Sequence, residues 1–385
     1  MERKNSMKKY NILFCFIIII VITVLTIIMS SVIEISSVIE KKYEWSAVVS
    51  APREYPIEVY TGAAGDYFFS QMGGFSNVGW GGGGIDNTIE APLPDRLDMT
   101  WLSYVDNKFY TGEWELPTEK IQQLFDQGYY SGPIEPGVDG EIYNNIQIGL
   151  APKGMVVVWV CGSGSSNQVE VARFQAHETT INPKLLTEDE KYMFEKDYAK
   201  DMLTYDGTIS KDLREQLRLH GFPPPEVYEA YREKYLWKPK VILPEGCRIN
   251  SLSIKMCNGE MENPFDKPVE QKQRAIPYVF EIFWYVGTGK NQREFVSKIA
   301  FTGDLEYWEK SHFDNGFNGI PVDFDKNQIR TLFKEHIDSN KNTELVIKID
   351  PMKENNRDWS VQIFLEQSGK KYIINQIDHN SGIYD

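Results

Sequence analysis

Hydrophobic positions along this chain follow three patterns: one unbroken run, several alternating stretches, and a few with helical spacing. The unbroken run is NILFCFIIIIVITVLTIIMSSVI, Asn11 to Ile33, with neither a charge nor a proline. Its core of about 22 apolar residues, as a helix, would span roughly 30 Å, the hydrocarbon thickness of a bilayer. Arg3, Lys4, Lys8 and Lys9 precede it, and Glu34, Glu40, Lys41 and Lys42 follow. The pattern predicts a basic cytoplasmic end over 1–10 and a transmembrane anchor, or an uncleaved signal, over 11–33. A juxtamembrane spacer over 34–42 would follow. The chain would then be a single-pass inner-membrane protein, in contact with the bilayer through 11–33, with its C-terminal ectodomain in the periplasm.

Alternating stretches dominate the rest and predict half-buried strands. YEWSAVVSAPREYPIEVY opens the series, and LDMTWLSYVDNKFYTGEWELP reads as two strands turning at Asp106-Asn107. YNNIQIGLAP and MVVVWVCG read as a pair turning at Pro152-Lys153-Gly154, NQVEVARFQA as a further strand, and CRINSLSIKMCNG as another. Helical spacing appears in PTEKIQQLF, with Ile121, Leu124 and Phe125 on one face and Thr118 placed to cap. It appears again in TEDEKYMFEKDYAKDML and in PPPEVYEAYREKYLW, where Val227, Tyr228, Tyr231 and Tyr235 would share a stripe.

One pattern repeats. The segment from Trp101 is echoed from Trp284, and Ile121-x-x-Leu124-Phe125 is matched by Ile329-x-x-Leu332-Phe333. IQIGLAPKGMVVVWV is echoed by LVIKIDPMKENNRDWSVQIFL, with Trp159 set against Trp359. The expected fold is α+β: two mainly antiparallel-sheet lobes with packed helices, related by an internal duplication, behind the N-terminal helix. The first lobe is placed at 43–177, a mainly helical bridge at 178–245, and the second lobe at 246–385.

Composition adds a charge. The chain has 385 residues, 42% hydrophobic, with 41 basic and 55 acidic side chains, a net −14. Beyond the first nine residues 37 basic and 54 acidic remain, −17. Such a surface repels phosphate backbones, which argues against nucleic acid, and attracts a basic protein. Four cysteines are few: Cys15 lies in the apolar run, Cys161 follows VVVWV as a buried thiol, and Cys247 and Cys257 are near enough in sequence for a disulfide.

No catalytic motif emerges. The loop FSNVGWGGGGIDN, Phe75 to Asn87, lacks the lysine of a phosphate-binding loop, and Pro92 and Pro94 forbid the helix a dinucleotide fingerprint needs. CGSGSS misses the nucleophile-elbow spacing. Five histidines, at 177, 220, 312, 336 and 379, form no metal pair, and DNGFNGIPVDFD reads as a glycine turn because Gly316 and Pro321 break the calcium-loop pattern. No catalytic residue, cofactor or metal ligand is assigned. Trp80, Asp86, Glu113, Trp114 and Glu115 remain as candidate partner contacts: Trp80 is either tucked in or displayed, and displayed aromatics and acids are of the kind that anchor and steer a protein partner.

The blocks YEWSAVVSAPREYPIEVY, LPDRLDMTWLSYVDNKFYTGEWELPTEKIQQLF, IQIGLAPKGMVVVWVCG and VEVARFQA, in that order, resemble the bacterial family called domain of unknown function 2931, over about 43–176. YREKYLWKPKV and CNGE resemble its continuation to about 260. The resemblance implies an envelope protein, often a lipoprotein, without established activity. This chain departs from it by carrying an apolar run in place of a lipobox. The functional expectation is a membrane-anchored periplasmic protein-binding module without catalytic activity, in one version an immunity protein neutralising a basic secreted antibacterial effector. The alternatives are a self-associating structural component of the envelope and an envelope enzyme with an unfamiliar site.

Overall fold

The computed structural model describes residues 20–24, 41–68, 75–83, 87–129, 140–162, 167–182, 184, 186–264, 269–301, 324, 329–351, 359–375 and 377–384. Of the apolar run, only 20–24 lies within them, an exposed helical stretch. No helix among the described residues is long and apolar enough to cross a membrane. This finding overturns the expected anchor over 11–33. With it go the single-pass inner-membrane placement, the periplasmic ectodomain and the bilayer contact. The rest of the run lies outside the described residues.

The chain divides into two compact units. The first comprises 1–43 with 90–92; there the Lys41 ammonium stands 4.7 Å from the centroid of the Tyr43 ring. The second holds nearly all the strands of the three sheets.

One topology is written twice. Its first copy uses the strands Lys42–Ser50, Ile57–Ala64, Arg96–Ser103 and Lys108–Glu115, the helix Thr118–Gln127, then the strands Tyr143–Ala151, Met155–Gly162, Gln168–Gln175 and His177–Thr179. Its second copy uses Tyr235–Ile242, Cys247–Met256, Pro277–Val286 and Arg293–Phe301, the helix Ile329–His336, then Thr343–Pro351, Trp359–Gln367, Lys370–Ile374 and Ile377–Ile383. In each copy the first strand lies parallel to the strand after the helix, Ser46 opposite Asn145 and Lys238 opposite Glu344. In each, the last strand returns to pair with the strand before the helix.

Even the irregularity recurs. Val59 faces Trp101 and Thr61 faces Thr100, leaving Tyr60 as a bulge; Ile249 faces Trp284 and Ser251 faces Phe283, leaving Asn250 as a bulge. Trp101 and Trp284 thus occupy one position in two copies, both fully buried. Ile121 and Phe125 are buried on the first helix, as are Ile329 and Phe333 on the second. The match of Trp159 with Trp359 is out of register. Trp159 faces Gln147 in mid-strand, whereas Trp359 opens its strand opposite Pro351; the residue in the place of Trp159 is Phe364, opposite Val346.

The two copies share a sheet. Gln168–Gln175 of the first pairs with the short strand Met261–Glu262, which pairs with Cys247–Met256 of the second. One sheet therefore carries strands from both expected lobes. The other strands of the first copy form a separate sheet from His177–Thr179 to Tyr67–Phe68, and those of the second a sheet from Lys272–Arg274 to Lys370–Ile374.

The connecting region differs from its reading in detail. Glu188–Phe194 is a 3-10 helix, Tyr198–Thr204 and Lys211–His220 are α-helices, and only Val227–Ala230 of the tyrosine stripe is helical. Tyr235 instead begins a strand, because Tyr235, Trp237 and Val241 alternate as in a half-buried sheet and Pro239 would break a helix. Thr118 does not cap its helix; its hydroxyl donates to the Pro94 carbonyl.

A carboxylate is built into this core. Glu54 is buried and accepts a hydrogen bond from the Tyr228 hydroxyl. Burial raises its pKa above the ordinary 4.5, against the opposing pull of Tyr228 and Arg53. The native protein then keeps a proton that the unfolded chain releases above pH 4.5, so this group's stabilisation is lost as pH rises through the native pKa. Glu54→Gln should remove that decline. Urea melts of both proteins from pH 4.5 upward give the check, and parallel slopes would refute it.

Candidate functional site

The glycine-rich loop is the starting point, because the structure packs it down. Trp80 is 5% exposed and meets Trp159 edge-on at 4.9 Å and Tyr228 at 5.4 Å. Polar groups on the sheet below hold the loop's backbone. The Gln147 amide donates to the Gly82 carbonyl, and the Gln168 amide donates to the carbonyls of Gly81 at 3.0 Å and Gly259 at 2.6 Å. The Cys161 thiol donates to Gln168 Oε1 at 3.2 Å, and burial pushes its pKa well up, which keeps it a thiol and a poor nucleophile.

Gly81 explains why the sequence is glycine here. Its φ is +69°, and a Cβ would stand 2.6 Å from the Cα of Gly259. Two backbones touch where the two copies meet, and no side chain fits between them.

Beside this contact opens a pocket of about 490 Å³. Val78, Trp80, Met256 and Met261 supply an apolar wall; Lys255, Tyr278, Glu260 and Glu281 supply polar groups. Both carboxylates are already engaged: Glu260 with Lys234 at 2.6 Å and Glu281 with Lys298 at 3.4 Å. Lys255 has no ion pair within 4 Å among the described residues, and burial lowers its pKa despite the field of Glu281. The Tyr278 ring is buried, and burial raises the pKa of its hydroxyl, so it stays a donor. Among the described residues its lining includes no histidine and no thiol.

The sheet face running away from Lys255 is the second feature. Ser253, Glu281 and Lys298 lie in one cross-strand row, and Ser251, Phe283 and Val296 in the next. Arg248, Tyr285 and Glu294 follow, with the Arg248 guanidinium 4.4 Å from the Tyr285 ring centroid. In the first copy the places of Arg248 and Tyr285 belong to Glu58 and Leu102. These two are 2% exposed, covered by residues 192–203: Leu102 packs with Met193 and Ala199, and Phe109 stacks on Phe194 at 4.9 Å. Glu58 accepts hydroxyls from Tyr104, Tyr192 and Tyr198 at 2.7–2.8 Å. In the second copy Arg248 is exposed and Tyr285 half-buried, and no such segment lies over them among the described residues.

The partner contacts expected from sequence scatter. Trp80 is in the core and lines the pocket; Trp114 is half-buried and stacks on Phe174 at 5.3 Å; Glu113 and Glu115 are exposed on the same strand. Asp86 and the turn at 314–325, apart from buried Phe324, lie outside the described residues. Cys247 and Cys257 are not bonded to each other. The extended strand Cys247–Met256 separates them by roughly 30 Å, several times what a disulfide allows. Lys255 had no sequence signal: in SLSIKM it alternates with inward Leu252, Ile254 and Met256 and reads as a solvated position.

No curated protein and no solved structure matches the chain. A family model does, over residues 31–224, about half of the length, and it covers the first copy of the topology and the segment that packs on it. The chain therefore belongs to the family described as protein of unknown function DUF2931.

Proposed function

We propose that this chain is a non-catalytic protein-binding module whose binding surface is the open sheet face of the second copy. Two copies of one face carry this reading: in the first it is covered by the protein's own helical segment, 192–203, and in the second no helix lies over it among the described residues, the Tyr384 ring meeting Phe283 edge-on at 5.0 Å. That segment indicates what such a face accepts, an amphipathic helix offering aromatic side chains. Charge refines the partner. Where the first copy has Glu58, satisfied by three phenols, the second has Arg248, with Lys255 and Lys298 on the same face. The partner we infer is a helix with an aromatic and acidic face, laid across Phe283 and Tyr285.

Photo-crosslinking residues placed at Tyr285 and, as a control, at Glu113 test this in cells. A discrete adduct to another protein from position 285 alone is expected, abolished by Arg248→Glu. Equal labelling at both positions, or an adduct only to a second copy of this chain, would overturn the reading, the latter in favour of self-assembly.

A further inference from the structure

The pocket at the head of that face presents an unusual balance of donors and acceptors. Its carboxylates are consumed by Lys234 and Lys298, and the Gln168 amide is consumed by two carbonyls. What remains is an ammonium, Lys255, and a phenol, Tyr278, for which no hydrogen-bond acceptor is found among the described residues. Two donor-bearing residues line one cavity beside an apolar wall of Val78, Trp80, Met256 and Met261, a lining that suits two acceptor oxygens on an aliphatic stem.

We propose that this pocket is a carboxylate-binding site, with one ligand oxygen on the Lys255 ammonium and the other on the Tyr278 hydroxyl. The volume, about 490 Å³, falls in the range of small-ligand sites and exceeds what one carboxymethyl group fills, so the stem is accommodated as well. Burial disfavours the lysine's charge, and an arriving anion offsets that cost. The rigid floor suits recognition: Gly81 and Gly259 are fixed by backbone contact, and Trp80 is wedged between Trp159 and Tyr228. The site is a carboxylate site whether the acid is a free metabolite or a glutamate on a docking helix. In the second case it deepens, and rests on, the protein-binding reading.

Glutarate titrated into the full-length protein by calorimetry tests the site without any protein partner, so it can fail or succeed independently of the docking face. One saturable site is expected. Lys255→Met should weaken it roughly tenfold or more, the scale of a lost charge-assisted hydrogen bond. Tyr278→Phe should weaken it less, and Lys290→Met, outside the pocket, should leave it unchanged. If Lys255→Met fails to fold, reductive 13C-methylation of the wild type supplies a Lys255 resonance that must move with glutarate. A glutamate-bearing helical peptide binding more tightly than glutarate would identify the source as a partner, and the reverse order a free acid. No saturable binding, equal affinity in Lys255→Met, or equal competition by inorganic phosphate would overturn the assignment.

Discussion

Trp284→Ala should lower stability by roughly 3–5 kcal/mol, the range for deleting a large buried aromatic side chain. The indole is fully buried, stacks on Phe295 at 4.9 Å, and meets Trp359 edge-on at 4.6 Å. Its N–H donates to Ser297 Oγ at 3.0 Å, and that hydroxyl exchanges a hydrogen bond with Ser381 at 2.8 Å. The duplicated topology supplies an internal control. Trp101 holds the equivalent position, is equally buried, and has an indole N–H that finds no acceptor among the described residues. Trp284→Phe loses a hydrogen bond and Trp101→Phe does not, so the first should cost about 1 kcal/mol more. Urea denaturation of the two phenylalanine variants decides it. Equal costs, or a larger one at Trp101, would mean that the polar contact contributes nothing.

Gly81→Ala should cost roughly 2–5 kcal/mol, summing the left-handed backbone penalty and the forced separation of two packed segments. The new Cβ would lie 2.6 Å from Gly259 Cα and 2.8 Å from its carbonyl oxygen. Gly259 cannot retreat, since it lies against the Trp159 indole, which a Cβ on Gly259 would meet at 2.5 Å. Gly246→Ala separates the two contributions. Gly246 also has positive φ, +79°, but nothing stands within 4 Å of its Cβ position. It should cost only about 1–2 kcal/mol. Gly81→Ala should also abolish glutarate binding while Gly246→Ala preserves it. If both variants lose the same stability, the contact between the copies is looser than the geometry implies.

Strands and helices announced themselves where one face is buried. From Arg96 to Glu115 the alternation, the turn before Lys108 and the helix after Pro117 were all legible, because period and turn chemistry are local. The repeat was legible through Trp101 and Trp284, where the same bulge demands the same large side chain. The shared sheet was not. Among the described residues its junction is the pair of Gln168 with Met261, and nothing local in either residue marks a partner 93 positions away. The pocket escaped for the same reason, being assembled from a glycine loop, one strand residue read as solvated, and a tyrosine after a proline. The glycines drew attention for chemistry they do not perform: they permit backbone contact. The apolar run failed differently. Hydropathy marked 11–33 as a span, and the described residues contain no helix able to cross a membrane.

The shared sheet bears on where the protein can be cut. The family match stops at residue 224, before any strand of the second copy. A fragment ending there keeps Gln168–Gln175 but loses Met261–Glu262, its neighbour. It also loses Tyr228 from beside Trp80, and Gly259 from beneath Gly81. An unpaired strand next to an uncovered tryptophan is a template for aggregation. The family boundary and the folding boundary are therefore different lines, and expression trials of the matched region alone should be expected to yield insoluble material.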